Sequence, residues 1–501
     1  MKSVKEEMSF DVDESMVVQG AVPTNIAGTL YTNGPGLFEF GRNKVESRVD
    51  GDGIVCGFTF AGDGSCKARS RFVRTEGYLK EQKALELGYE GEAVFKSRAG
   101  KGTVLGQAAG FNQIDDVKAT ANSGVFFGSG RLLAVDDCFL PHEIDPAGLY
   151  TVGATRIRDS LPKRGPLLVP KYDPAEKRVI GMSSKTLVRP SYVTRTWFLE
   201  WDQEWRQKHL AKDNVPEYRR LTDFGFTRTD YVVMEAPMKV NWVTFAAGGK
   251  SVREICELDT QGKTKISLIP RKGDGEAVVF EGECDVPEKI VNAYTDRDSG
   301  MVIVDTICYD SLPTVGEWDD SNIPSSRMVR WTLDPSDPSQ PASKRDLSAA
   351  SLDYPTINPY VRSVRHSHTF SLLRVGGSPK GLHTINTGDD SQSEWRCGEG
   401  DFCSPPVFLP KADGQSEDDG YLATMIYSSG ADATDIALLD ATSLEEGPIC
   451  RIRLPTPLPH GHLGCWAEGY VPSSKDYAEG RRKALWSDKG WEAFDASLPF
   501  L

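Results

Sequence analysis

The chain has 501 residues and a mass of 55.1 kDa, enough for two or three average domains or for one large β architecture. Its 58 Lys and Arg residues against 72 Asp and Glu residues give a net charge of −14. This acidic field disfavours nucleic acids as partners. Hydrophobic residues make up 39% of the chain, a composition typical of globular rather than disordered proteins.

Neither a signal peptide nor a membrane-spanning segment is predicted. The first twenty residues contain no apolar core, and no later run approaches the roughly 20 apolar residues that cross a bilayer. The ten cysteines are scattered without a repeated CxxC pair, which favours free thiols. We therefore expect a cytoplasmic protein. Peripheral contact with a membrane and the oligomeric state stay open.

Short strands are predicted along the whole chain. Runs rich in β-branched or alternating apolar residues, ended by Gly, Asp, Asn or Pro, occur at 28–34, 53–64, 124–137, 301–310, 420–430 and 435–441. The best helical patterns lie around 77–88 and 202–211. No low-complexity linker divides the chain, so we predict one all-β domain over residues 1–501.

The segment VTRTWFLEWDQEW (193–205) has an ambiguous pattern. Trp197, Trp201 and Trp205 are four residues apart, as on one face of a helix, but residues 193–201 also alternate as in a strand. In either case we favour a packed aromatic cluster over a membrane or substrate role, since aromatic stripes are usually core.

Several motifs, taken in order, resemble those of the carotenoid cleavage dioxygenases. They include LYTNGPGLFEFG (30–41), DGDGIVCGFTFAGDG (50–64), RSRFVRTEGYLKE (69–81), KIVNAYTDRDSGMVIVD (289–305) and GPICRIRLPTPLPHGHLG (447–464). The resemblance covers nearly the whole chain, and that family also includes stilbene-cleaving oxygenases and the animal retinoid isomerohydrolase. It implies a seven-bladed β-propeller with a small helical dome on one face, which shelters a tunnel for long apolar substrates.

In that family, four histidines from four separate motifs hold a ferrous ion on the propeller axis. Here the matching positions in VPKYDP, TDFGFT, KIVNAY and PHGHLG are occupied by Val169, Thr222, Lys289 and Leu463. Since all four imidazoles are replaced, we expect no metal and no other cofactor.

In the family, acidic residues orient three of these histidines. The matching positions in this chain are Asp137, Asp353 and Pro405. With no imidazole to orient, changes at these positions fit the loss of the metal. We predict that Val169, Thr222, Leu463, Asp137 and Asp353 bind substrate instead.

Other histidines offer only a weak alternative metal site. The chain has seven, at 142, 209, 366, 368, 383, 460 and 462. His366 and His368 would share one face of a strand, but a metal site needs more ligands than this pair supplies. His462 would need a one-residue register shift, which would turn it to the opposite face. For His366 and His368 we favour a structural role, as a hydrogen-bonded or surface pair.

An apolar tunnel without iron can still fold a flexible ligand into one reactive conformer. Our leading hypothesis is a metal-independent cyclase or isomerase, such as a Diels-Alder or hetero-Diels-Alder pericyclase, acting on a hydrophobic terpenoid or polyene. Lys289, His460 and His462 are the candidate catalytic donors to a substrate oxygen. For Lys289 the other interpretation is a structural ion pair with Asp137 or Asp353, or a side chain that points to solvent. For His460 and His462 it is a structural role in a local hydrogen bond.

Two alternatives remain. One is a non-catalytic carotenoid or terpenoid-binding protein. The other is an iron-dependent carotenoid or stilbene cleavage dioxygenase with relocated ligands.

Overall fold

Seven antiparallel sheets form the body of the molecule in a computed structural model, which describes residues 3–40, 43–45, 50–88, 118–163, 165–187, 193–241, 255–273, 275–313 and 323–482. Each sheet is one blade, and the inner strands of blades 1 and 2, 4 and 5, 5 and 6, and 7 and 1 contact one another. The predicted seven-bladed β-propeller is confirmed.

Each blade is a ladder of strands that runs from the inner to the outer edge of the ring. In that order, blade 1 contains Leu463–Glu468, Ala27–Leu37, Asp52–Ala61, Cys66–Phe72 and Ser9–Asp11; blade 2 contains Gly124–Gly128, Arg131–Val135, His142–Ile144 and Thr151–Ala154. Blade 3 contains Lys171–Asp173, Arg178–Leu187, Val193–Trp201 and Gln207–Val215; blade 4 contains Gly225–Phe226, Asp230–Glu235, Thr264–Pro270 and Val278–Gly282. Blade 5 contains Val286–Thr295, Val302–Tyr309, Ser326–Leu333 and Ser343–Ser348; blade 6 contains Leu352–Thr356, His368–Val375, Ser378–Asn386 and Gln392–Arg396. In blade 7, Asp401–Cys403 and Val407–Pro410 both pair with Gly420–Ser428, followed by Ala433–Asp440, Pro448–Arg453 and Val17–Gly20.

A few elements lie outside the blades. Two small hairpins pair Glu39–Phe40 with Asn43–Lys44 and Met238–Val240 with Cys256–Leu258. An α-helix spans Glu76–Glu86, residues 474–482 are also helical, and short 3-10 turns occur at Glu14–Met16, Pro359–Val361 and Leu444–Glu446. Within the described residues, no helix is both long enough and apolar enough to cross a membrane.

The ring is closed by strands from both ends of the sequence. Leu463–Glu468 pairs with Ala27–Leu37 in blade 1, and Val17–Gly20 pairs with Pro448–Arg453 in blade 7. Because early and late segments share two sheets, neither of these blades is complete without the other end of the chain.

All six strand-like runs predicted from the sequence contain strands, and the pattern at 77–88 contains the helix Glu76–Glu86. This helix begins after Thr75, whose hydroxyl accepts a hydrogen bond from the Tyr78 amide at 3.1 Å.

The helix predicted at 202–211 is wrong. Val193–Trp201 and Gln207–Val215 are paired strands, joined by a turn in which Asp202 accepts from the Arg206 amide at 2.8 Å. Trp205 adopts a left-handed φ of 59° in this turn, and this backbone conformation is incompatible with a right-handed helix through residue 205. Trp201 and Trp205 are buried with ring centres 5.8 Å apart, so the predicted aromatic cluster is core.

Candidate functional site

The four positions that match the family's iron ligands lie at the starts of inner strands. Val169 precedes the inner strand of blade 3 and Thr222 that of blade 4, while Lys289 lies in the inner strand of blade 5. Leu463 is the first residue of the inner strand of blade 1. The inner strands of four blades therefore position these four residues.

Two of these side chains converge on Gly124 in blade 2. A methyl group built on Gly124 would lie 2.9 Å from Cγ2 of Val169 and 3.5 Å from Cδ1 of Leu463. Both side chains are hydrocarbon, so they make an apolar contact over a glycine and offer no lone pair.

The other two positions, Thr222 and Lys289, lie close together in sequence-distant segments at the junction of blades 4 and 5, where a hydrogen bond links Thr222 to the residue before Lys289. The Thr222 hydroxyl donates to the carbonyl oxygen of Glu288 at 2.8 Å, immediately before Lys289. Valine and leucine offer no lone pair, and a protonated lysine repels a cation, so these residues do not fit a ferrous ion. Within the part of the chain that the structure describes, no three His, Cys, Asp or Glu side chains are placed to hold a metal.

Lys289 packs against an aromatic ring rather than a carboxylate. Its ammonium lies 5.4 Å from the centre of the Tyr354 ring. Burial acts to lower the pKa of Lys289, but Tyr354 and the carboxylates of Asp223, Asp353 and Glu288 outweigh it and raise the pKa above its ordinary value. Lys289 is therefore a cationic donor at neutral pH.

Asp353 is close enough to affect Lys289 but is engaged elsewhere. Its carboxylate pairs with the buried Arg374 at 2.9 Å. The expected ion pair between Lys289 and Asp353 is therefore absent from the described contacts, and Asp353 acts on Lys289 only through its field.

The structure does not bring Asp137 to the site. Asp137 is exposed, whereas the preceding Asp136 is fully buried. The Asp136 carboxylate accepts from the amides of Thr120, Ala121 and Cys138, each at 2.9 Å. The chain bends directly after the strand Arg131–Val135, and this bend directs the second acid outward.

His460 and His462 lie between blades 1 and 7. His460 stacks on Phe402 with ring centres 5.1 Å apart. His462 packs on Gly34, where an added methyl group would lie 2.5 Å from Cδ2 of the imidazole. Burial lowers the pKa of His462 to about 3, with a further contribution from His460, so His462 is neutral. Both histidines contact elements other than those around Lys289.

The His366 and His368 side chains separate. His366 is buried, with Nε2 3.2 Å from the Thr369 hydroxyl and 3.5 Å from the Asp305 carboxylate. His368 is partly exposed, with Nε2 3.6 Å from Asp418. Each has its own polar neighbours, as the structural interpretation of this pair predicted.

Sequence reasoning missed three residues near Lys289. Lys171 pairs with Asp223 at 2.9 Å, and Arg362 borders the same region from the loop that follows the inner strand of blade 6. Lys171 and Asp223 lie inside the motifs VPKYDP and TDFGFT, so their spacing could have indicated them. Arg362 belongs to no such motif, and only the folded loop reveals it.

Comparison with known proteins agrees with this architecture. A family model described as RPE65, retinal pigment epithelial membrane protein, matches residues 1–468. Apocarotenoid-15,15'-oxygenase from Synechocystis is 27% identical, over 93% of this chain and 95% of that protein. Resveratrol cleavage oxygenase 1 from Aspergillus fumigatus is 26% identical, over 90% and 92% of the two chains.

Solved structures show the same likeness. Synechocystis apocarotenoid oxygenase, in a cobalt-substituted form, superposes with a TM-score of 0.82 at 25% identity, covering 93% of this chain and 97% of that one. An ACO/RPE65 chimera gives a TM-score of 0.83 at 25% identity over the same shares. The chain therefore belongs to the RPE65 family, which is the carotenoid cleavage oxygenase family that its motifs resemble.

Proposed function

We propose that this protein is a metal-independent cyclase or isomerase, of the pericyclase type, that acts on a hydrophobic terpenoid or polyene. The observation that carries this proposal is the content of the four former ligand positions: two hydrocarbon side chains that meet over Gly124, one hydroxyl bonded to a backbone carbonyl, and one ammonium. Without ligands for iron, ordinary oxygenase chemistry has no support from these residues.

The substrate class is inferred from the relatives. Their names specify apocarotenoid and resveratrol substrates, which are conjugated and largely apolar. A site that holds such a molecule in one folded conformer lowers the entropic cost of ring closure or of double-bond isomerisation.

Lys289 is the proposed catalytic donor. Its ammonium is protonated at neutral pH and has no described carboxylate partner, so it can donate to a carbonyl or quinone methide oxygen of the substrate. Charge that develops on this oxygen during bond formation is stabilised by such a donor. Val169, Thr222 and Leu463 would line the substrate cavity beside it.

The test is turnover with and without dioxygen. Candidate polyenes and terpenoid quinone methides are incubated with the protein in air and under argon, and products are identified by mass spectrometry. We expect equal rates in both atmospheres. Lys289→Met should lose roughly 1–3 kcal/mol of transition-state stabilisation, while Lys265→Met, an exposed lysine, should match the wild type.

Each alternative has its own signature. Product formation only in air, with about one iron per chain by elemental analysis and loss of that iron in His366→Ala or His462→Ala, would establish a relocated oxygenase site. Stoichiometric ligand binding with no conversion above buffer would establish a binding protein. Full activity of Lys289→Met would remove Lys289 from the mechanism.

A further inference from the structure

Three cations from separate blades share Asp223 as an acidic neighbour, and we name them the cation cluster: Lys171, Lys289 and Arg362. Lys171 comes from blade 3, Lys289 from blade 5, and Arg362 from the loop after the inner strand of blade 6. Asp223, from blade 4, is the acid within electrostatic range of all three.

Asp223 is already saturated by local contacts. One carboxylate oxygen accepts from the Lys171 ammonium at 2.9 Å and from the Phe224 amide at 2.8 Å. The other accepts from the Ile290 amide at 2.9 Å. Asp223 therefore balances Lys171 and has little acceptor capacity left for Lys289 or Arg362.

Arg362 has no described acid of its own. Its Nε is buried without a hydrogen-bond partner among the described residues. A buried guanidinium nitrogen without an acceptor is costly, so this donor is available to a ligand.

The other acids near Lys289 are also engaged. Asp353 pairs with Arg374, and the buried Glu288 carboxylate pairs with Arg220. Each of these pairs is neutral overall. What remains near the axis is Asp223 against three cations, a local excess of two positive charges.

This excess affects the titration of Lys171. Burial lowers the pKa of Lys171 to about 8; Asp223 opposes this shift, whereas repulsion from Arg362 and Lys289 adds to it. Like charges in a poorly solvated site destabilise one another, and a bound anion relieves the repulsion.

Space for a ligand group lies beside the cluster. A narrow cavity with an open mouth, whose interior has room for about one water-sized group such as a carboxylate oxygen, is lined by Lys171, Arg362, Gly225, Phe226 and residues 290–293. The Arg362 loop is fixed by Asn292, whose amide donates to the carbonyl oxygens of Val361 at 3.2 Å and Val364 at 2.9 Å. The backbone on both sides of Arg362 is thus held in place before a ligand arrives, which favours binding.

We propose that the cation cluster binds the anionic head group, a carboxylate or a phosphate, of an otherwise apolar ligand. Arg362 would donate charge-assisted hydrogen bonds to such an oxyanion, and the two lysines would attract it by their charge. The Lys171 ammonium already donates to the carbonyl oxygens of Phe224 and Ile290 and pairs with Asp223, so it adds charge rather than a free donor. The inference that the rest of the ligand is apolar depends on the proposed function. The inference of a head-group site depends only on the charges and the cavity.

The experiment compares ligands that differ only in the head group. Retinoic acid against retinol tests a carboxylate, and farnesyl diphosphate against farnesol tests a phosphate, with binding followed by quenching of tryptophan fluorescence. In at least one pair we expect the anion to bind about tenfold or more tightly, with a preference that falls as salt rises. Inorganic phosphate should displace the anionic member and not the neutral one.

Variants test which residues cause the preference for the anionic ligand. Arg362→Met and Lys289→Met should each reduce the ratio of the two affinities about tenfold, and Arg362→Gln serves if the methionine variant does not fold. Arg345→Met removes an exposed arginine that pairs with Asp390, and it should keep the wild-type ratio.

Two outcomes would overturn the proposal: anions that bind no more tightly than their neutral counterparts in both pairs, or a preference that survives the loss of Arg362 and of Lys289. Failure of the proposed function is separate. A protein that prefers anions but converts nothing is a binding protein with an intact anion site, whereas one that converts only neutral substrates, without a head-group preference, has the proposed activity and lacks this site.

Discussion

Gly124 and Val169 touch across the junction of blades 2 and 3, so closely that a methyl group on Gly124 would lie 2.9 Å from Cγ2 of Val169. Gly124 also has a φ of 142°, outside the range that other residues favour. We expect Gly124→Ala to reduce the free energy of unfolding through both strain and overpacking, by roughly 2–5 kcal/mol in urea unfolding.

A matched control separates the two effects. Gly153 has nearly the same φ, 140°, but nothing lies within 4 Å of an added methyl group. Gly153→Ala should lose only the strain component. Adding Val169→Ala to Gly124→Ala should recover part of the packing loss. Equal losses in the two glycine variants would show that the contact with Val169 is not tight.

A second prediction concerns the buried Lys118. Its ammonium lies 2.7 Å from the buried Asp52 carboxylate and also pairs with Glu81. Lys118→Met leaves two buried carboxylates without this cation, so we expect a loss of about 3–5 kcal/mol at pH 7. Lys67→Met, which breaks an exposed pair with Asp11, should cost less than about 1 kcal/mol.

The same group gives a pH dependence. Burial raises the pKa of Asp52 to about 7; Lys118 opposes this shift and Glu81 adds to it. The folded state therefore binds this proton more tightly than the unfolded chain, and the Asp52 contribution to stability falls as pH rises from about 4 to 7. Asp52→Asn should flatten the pH profile of urea unfolding in this range, and an unchanged profile would contradict the assignment.

For His462 we predict the opposite pH dependence of stability. Because its folded pKa of about 3 is below the ordinary 6.5, the unfolded chain takes up this proton first as pH falls. Its contribution is complete above pH 6.5 and is lost below it, by roughly 3 kcal/mol at pH 4. The pH profile of unfolding between 6.5 and 4 should be shallower in His462→Gln, and a wild-type slope in this variant would mean that the imidazole is hydrated.

Neighbouring aspartates provide a fifth prediction. Asp136→Asn replaces an acceptor of three backbone amides by a group that can also donate, so we expect a loss of about 1–3 kcal/mol. Asp137→Asn, at the surface, should stay within about 0.5 kcal/mol and leave ligand binding unchanged. Impaired binding by Asp137→Asn would restore this residue to the site.

The contrast between these aspartates shows what sequence could supply. Strand runs were recognisable because a short apolar segment ended by turn residues is a local pattern, as in the run 420–430, which contains the strand Gly420–Ser428. The bend after Val135 has no such pattern, so the sequence could not show which of the two adjacent acids is buried. The turn at Trp205 was missed for a related reason: its left-handed backbone allows tryptophans with helical spacing to pack at the end of a hairpin.

Arg362 marks a different limit. Its position depends on Asn292 holding a loop that is distant in sequence, and no local pattern encodes that contact. The four positions that match the family's ligands, by contrast, could be identified from the sequence because each lies in a motif.

Ring closure has a consequence for synthesis. On the ribosome, the edge of Ala27–Leu37 emerges early, whereas its partner strand Leu463–Glu468 is made after all the other described strands. Until then, blade 1 carries an unpaired edge, which is a template for pairing with other chains. Completion of blade 1 is thus a late step in folding. The nascent protein is most prone to aggregation before the strand Leu463–Glu468 has paired with that edge.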